Sequence, residues 1–223
     1  MKKKNRKEQV NNNLTEVVFI LDKSGSMSGF EADTIGGFNS TIERHRSENS
    51  RTLVSTILFN DACSVIHDRV DIVEIKPLTK KEYCVGGCTA MFDAIGLAIQ
   101  HIGNVHKYAR KEDVPNNTVF VIITDGMENA SCIFTGKEVK AKIKRQQEEH
   151  GWEFIFLGAN IDSAETAESI GIRRERAVDY HQDKEGFEAS FLSVSDALES
   201  LSMNCNLSND WRRALDTDNE RRK

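Results

Sequence analysis

Two aspartates close apolar runs and are followed by turns containing glycine: Asp22 ends EVVFILD and Asp125 ends TVFVIITD. After the first comes Asp22-Lys23-Ser24-Gly25-Ser26, where positions 22, 24 and 26 carry short oxygen-bearing side chains. Such a loop can turn three oxygens toward one point while Gly25 permits the tight backbone path. Gly86-Gly87-Cys88-Thr89 precedes a long amphipathic stretch and puts the Thr89 hydroxyl at a helix start. Asp22, Ser24, Ser26, Thr89 and Asp125 form an all-oxygen set, which suits Mg²⁺, Mn²⁺ or Ca²⁺ and not Zn²⁺. Turns and helix caps use the same residue types, so the set has meaning only if the fold brings it together.

The elements that would do so follow from periodicity. Short apolar runs alternate with longer amphipathic ones, the pattern of a layered α/β domain with a mostly parallel sheet. Residues 16–22 and 118–125 are apolar almost without a break and read as buried central strands. Residues 52–59 and 63–73 flank Asn60-Asp61, a turn pair, and predict an antiparallel hairpin at one sheet edge. Residues 152–157 supply a further strand and 176–180 a weaker last one. Helices are predicted over 33–46, 90–108, 136–150, 163–169 and 184–203. In the second, Met91, Ala94, Ile95, Ala98, Ile99, Ile102 and Val105 make a stripe wide enough to pack on a sheet. In an open α/β sheet the ligand crevice lies beyond the carboxyl ends of the strands, so both aspartates should face one crevice.

The 223 residues, 39% hydrophobic and 29% charged, suffice for a real core and suggest one large domain with tails. The domain is expected over 14–205, between a basic tail at 1–13 and a charged tail at 206–223, where a terminal turn of helix fades out. No apolar run reaches the roughly 20 residues of a membrane span, and none before Asp22 resembles a secretory signal, so a cytoplasmic location is expected. Five scattered cysteines are expected to be reduced. The net charge of −5 becomes −9 once the +4 of the first thirteen residues is removed, which argues against a nucleic-acid-binding body.

Other clusters carry less. The Cys84-x3-Cys88 pair has no second pair or histidine to complete a tetrahedral site. His101 and His106 are five apart, not the four that puts two ligands on one helix face. Gly36-Gly37 inside the first helical region suggests a late start or a close helix approach. An aspartate followed by Lys-Ser invites a phosphoryl-transfer reading with Mg²⁺, yet the second aspartate expected two positions on is Ser24, and no phosphate-binding loop is present. The chain is therefore not expected to be an enzyme.

LDKSGSM at 21–27, GGCTAMFDA at 86–94 and ITDG at 123–126, in that order, resemble a von Willebrand factor A domain with a metal-ion-dependent adhesion site (MIDAS). With TDGMENAS and FLGANID, the chain is similar to bacterial intracellular single-domain members, over about 14–203. The resemblance implies a Rossmann-like sheet of order 3-2-1-4-5-6, strand 3 antiparallel at the edge and helices on both faces. It implies direct ion binding by the Ser24 and Ser26 hydroxyls, Thr89 direct or through water, and Asp22 and Asp125 largely through water. The ion would then take a Glu or Asp from a partner protein, making the site a binding device. Relatives of this type imply an AAA+ ATPase or stress-resistance complex as one partner class, and a shift of Thr89 passed to helix 184–203. Glu128 and Asn129 are expected either at a partner-selecting rim or in local turn bonding. Mg²⁺-dependent phosphoryl transfer and an assembly role with a purely structural ion remain the alternatives.

Overall fold

Why these elements form is clearest in the central strand. In the computed structural model, which describes residues 14–46, 51–203 and 207–223, β1 (Leu14–Asp22) is buried along its whole length. Alternate side chains serve opposite layers: Val17, Phe19 and Leu21 enter one core, Val18 and Ile20 the other. A strand buried on both faces reads as a continuous apolar run. Around it lie β2 (Arg51–Phe59), β3 (Cys63–Asp71), β4 (Asn117–Thr124), β5 (Glu153–Gly158) and β6 (Ala177–Asp179). The sheet has six strands in the order β3-β2-β1-β4-β5-β6, with β3 antiparallel to β2 and every other pairing parallel.

Helices α1 (Glu31–Arg46), α2 (Met91–Tyr108), α3 (Gly136–His150), α4 (Ser163–Ser169), α5 (Lys184–Ser202) and α6 (Arg213–Arg221) surround the sheet. α1 and α5 contribute Phe38, Phe187 and Val194 to the first core, while α2 and α3 contribute Ile95, Ile99, Val139 and Ile143 to the second. The architecture is the expected α/β fold, in the implied strand order.

Several boundaries differ from the sequence reading. α1 starts at Glu31 and runs through both glycines, because a Cβ at Gly37 would lie 2.0 Å from the Phe191 ring of α5. The close approach outweighs the helix cost of glycine, about 1 kcal/mol. β3 stops at Asp71, where the chain turns into a short 3-10 segment, Ile72–Glu74. β4 stops at Thr124, leaving Asp125 just past the strand. The charged tail expected over 206–223 is instead, where described, a 3-10 turn (Asn209–Arg212) and α6. Trp211 and Leu215, four residues apart, are buried in the first core beside Leu198 and Leu201 of α5. A single apolar pair, one member in the 3-10 turn and one in the helix, docks an otherwise polar segment. The basic segment 1–13 and Cys205 lie outside the described residues.

Candidate metal centre

Parallel strands β1 and β4 are neighbours, so their ends place Asp22 and Asp125 on one edge of the sheet. Asp22 is fully buried; its Oδ1 accepts the Ser24 N–H at 2.7 Å and its Oδ2 the Thr124 hydroxyl at 2.6 Å. The chain after it tightens into a 3-10 turn, Gly25–Met27, that brings Ser24 Oγ and Ser26 Oγ to 3.1 Å. Ser26 Oγ donates to Asp125 Oδ1 at 2.7 Å. Ser24, Thr89 and Asp125 are buried, whereas Ser26 is exposed and marks the mouth.

Thr89 comes in from the loop before α2, which is laced to the first loop: Gly25 N–H donates to Gly87 O at 3.0 Å and Gly86 N–H to Lys23 O at 2.9 Å. Gly87 has φ +80°, and a Cβ there would overlap the Asp61 carboxylate at 1.8 Å. Glycine is thus required both by backbone conformation and by space. A Cβ on Gly126 would lie 3.6 Å from Ser26 Oγ and 3.8 Å from Thr89 Oγ1, so both hydroxyls flank the same point. All five residues are brought to one crevice.

Burial pushes the carboxyls of Asp22 and Asp125 above their ordinary value, opposed by hydrogen bonds from Ser24 and Thr124 to the former and from Ser26 and Gln182 to the latter. Asp125 pushes Asp22 up further by like-charge repulsion. Among the described residues neither aspartate forms an ion pair with a Lys, Arg or His. Nor does any group of three or more His, Cys, Asp and Glu side chains fit for a metal occur among them; this set is two carboxylates and three hydroxyls. Two buried carboxylates without a counter-ion are costly, and a hard divalent cation held by oxygen is what would offset them.

Between them, the side chains of Glu128 and Asn129 bond to their own turn, to the loop before α2 and to the start of that helix. Glu128 accepts the Phe92 N–H at the start of α2 and those of Ala130 and Ser131. Asn129 Oδ1 accepts the Thr89 N–H at 2.8 Å, while its own N–H donates to Thr89 O at 3.0 Å. Asp93 answers from α2 by accepting the N–H groups of Cys132, Ile133 and Phe134. These contacts fix Thr89 and the helix start.

Sequence reasoning missed several residues of the site. Thr124 had a signal, standing next to Asp125 with a hydroxyl on a buried strand. Tyr83 and Tyr180, whose phenols donate to Asp22 O and Thr124 O, had only their burial-prone type. Gln182, between β6 and α5, had none; its amide donates to Asp125 Oδ2 and Ser26 O. Cys84 and Cys88 are free exposed thiols, consistent with loop residues.

The model of the von Willebrand factor type A domain matches residues 16–190. No curated protein matches the chain. Among solved structures, the PilB minor pilin of Streptococcus sanguinis is 10% identical with a TM-score of 0.61, covering 86% of this chain and 62% of its own. Manganese-loaded TRAP protein of Plasmodium vivax is 14% identical with a TM-score of 0.55, covering 80% and 72%. Proximal thread matrix protein 1 from the mussel byssus is 14% identical with a TM-score of 0.54, covering 82% and 45%. A second structure of that protein, with a zinc-occupied MIDAS motif, has a TM-score of 0.50 at 14% identity and covers 85% and 44%. The chain spans less than two thirds of the length of the pilin and of the mussel protein, and at these identities the likeness is one of fold. Matched over most of its length and carrying the same strand order, the chain belongs to the von Willebrand factor type A domain family.

Proposed function

We propose that the chain is a divalent-ion-dependent protein-binding module. Asp22, Ser24, Ser26, Thr89 and Asp125 hold Mg²⁺, with Mn²⁺ or Ca²⁺ as substitutes, and an acidic side chain of a partner completes the coordination. One observation carries the reading: two buried carboxylates face three hydroxyls, and among the described residues neither is paired with a Lys, Arg or His. It is supported by membership of a family of metal-dependent adhesion and interaction modules.

The chain's own residues divide the work. Asp22, with each oxygen already accepting a hydrogen bond, supplies negative charge and holds the Ser24 turn. Ser26, exposed at the mouth, stands where an incoming side chain arrives. Asn129 and Glu128 hold Thr89 and the start of α2. When bound, the ion would be held by neutral hydroxyls and by two carboxylates already engaged in hydrogen bonds, and would offer an open coordination position suited to an anionic oxygen of a partner.

Phosphoryl transfer is disfavoured by Asp22 itself, since a fully buried carboxylate engaged at both oxygens is a poor nucleophile. The reading extends by resemblance to a bacterial cytoplasmic setting, with an AAA+ ATPase or stress-resistance complex as partner. For place in the cell, the structure contributes only that no helix among the described residues is long and apolar enough to cross a membrane.

The test is capture of partners by the immobilised protein in Mg²⁺ and in EDTA, with Ser26→Ala and Asp22→Ala alongside. A protein retained only with Mg²⁺ and lost with both folded variants supports the reading. Variants that unfold only when the ion is lost point to a structural ion. Turnover of a phosphoester that disappears with Asp22→Ala would replace the reading by catalysis.

A further inference from the structure

We infer that Gln182 is a positioning residue of the ion site and that the C-terminal helix α6 sets its place. This rests on the ion-site reading above and assigns a role to two segments that the five-residue set leaves out.

Gln182 uses its whole amide. Its Nε2 donates to Asp125 Oδ2 and, at 3.0 Å, to Ser26 O, while its Oε1 accepts Asn160 Nδ2 at 2.7 Å. The orientation is forced, because an ionised carboxylate and a backbone carbonyl only accept. One side chain therefore ties the strand-end aspartate to the exposed turn that carries Ser26. Asp125 is held at both oxygens, with Oδ1 on the Ser26 hydroxyl and Oδ2 on Gln182, so the plane of its carboxylate is fixed before any ion arrives. Ser26 gains a tether that its three-residue turn does not itself provide.

The segment bearing Gln182 is held from the far side by α6. Arg222, the residue that caps the end of α6, donates to both carboxylate oxygens of Asp183, the next residue after Gln182, including Nη2 to Oδ1 at 3.0 Å. The guanidinium is aimed by Asp218, whose Oδ1 accepts Arg222 Nε at 2.9 Å. Asn219 Nδ2 donates to Asp179 O at 2.9 Å, and Arg221 pairs with Glu185. Asp183 also caps α5 by accepting the Gly186 N–H at 2.9 Å. Thus residues on both sides of Gln182 are clamped by one helix, and that helix lies beyond residue 190, where the family match ends. Outer partners that orient a ligating carboxylate are worth about ten- to a hundredfold in metal affinity.

The experiment is titration of the full chain with Mn²⁺ alone, followed by the electron paramagnetic resonance of free and bound ion, with thermal unfolding in EDTA as a check on folding. Gln182→Met keeps length and removes every hydrogen bond; it should bind Mn²⁺ about ten- to a hundredfold more weakly and alter the bound-ion spectrum. Arg222→Ala should weaken binding roughly fivefold or more. The double variant should be no weaker than Gln182→Met, because the helix acts through the glutamine. If Arg222→Ala does not fold, Asn219→Ala takes its place in the same cycle. Unchanged affinity in Gln182→Met overturns the positioning role. Unchanged affinity in the helix variant, or a helix loss that adds in full to the glutamine loss, overturns the coupling. If the wild-type chain binds no Mn²⁺, the ion-site reading falls first and this inference with it.

Discussion

The two ends of β1 solve the same problem in opposite ways. Glu16 and Asp22 are both 0% exposed and both ionisable, six residues apart on one strand. At the first end the fold supplies a cation and a ring nitrogen: Arg69 Nε meets Glu16 Oε1 at 2.6 Å and His106 Nε2 meets the other oxygen. Arg69 reaches Glu16 from an irregularity in the β2–β3 pairing, at φ +52°, with its N–H on Ser55 Oγ. The second end receives the Ser24 and Thr124 hydroxyls and a backbone amide, with a second carboxylate nearby. The first end has its charge balanced within the fold, whereas the second is left open beside an exposed hydroxyl, which is where the proposed ion would sit.

The sharpest way to break this contrast is Arg69→Ala, which strips a cation from buried Glu16. It should cost about 3–5 kcal/mol of unfolding free energy, the same in Mg²⁺ as in EDTA, measured by denaturant titration. Next in size is the response to ion at the other end. At a hundred times its dissociation constant Mg²⁺ should raise wild-type stability by about 2.7 kcal/mol and leave Asp22→Asn unmoved, read as Tm with and without ion. In EDTA the charge it removes has no counter-ion, a gain set against the one hydrogen bond from Ser24 or Thr124 that the Asn NH2 group cannot accept.

A smaller effect tests the support of Thr89. Glu128→Ala frees backbone donors at the start of α2 and in the following loop, and should cost about 1–2 kcal/mol with weaker Mn²⁺ binding. The smallest is a pH slope. Since burial raises the Asp22 and Asp125 carboxyls above 3.8, the ion-free folded state holds more protons than the unfolded chain between that value and the raised ones. Stability in EDTA should therefore fall as pH rises through that window, and Asp22→Asn should flatten the slope, measured as Tm against pH.

How legible each part was in the sequence follows from the range of the forces that made it. β1 and β4 declared themselves because burial on both faces leaves no room for polar residues. The Asp22-x-Ser24-x-Ser26 loop did so because three ligand candidates share one turn. Glu128 and Asn129 were ambiguous, since residue type does not say whether a side chain turns toward Thr89 or toward solvent. Trp211 and Leu215 were too sparse to predict a helix from period alone; packing on α5 stabilises what propensity leaves marginal. Gln182, Asn160 and Arg222 were invisible because each depends on partners from distant loops. Long-range polar contacts have no local period.

The ring of Phe191 seated over Gly37 bears on motion. Gly37 is flanked one turn away by Thr34 and Thr41, both buried, and neither leaves the space that a missing Cβ creates. The pair therefore keys α5 to α1, because a ring moved onto Thr34 or Thr41 would meet a side chain where Gly37 has none. Displacement of α5 along α1 would have to lift the ring out of this notch, so the glycine sets the register of the two helices as well as their distance.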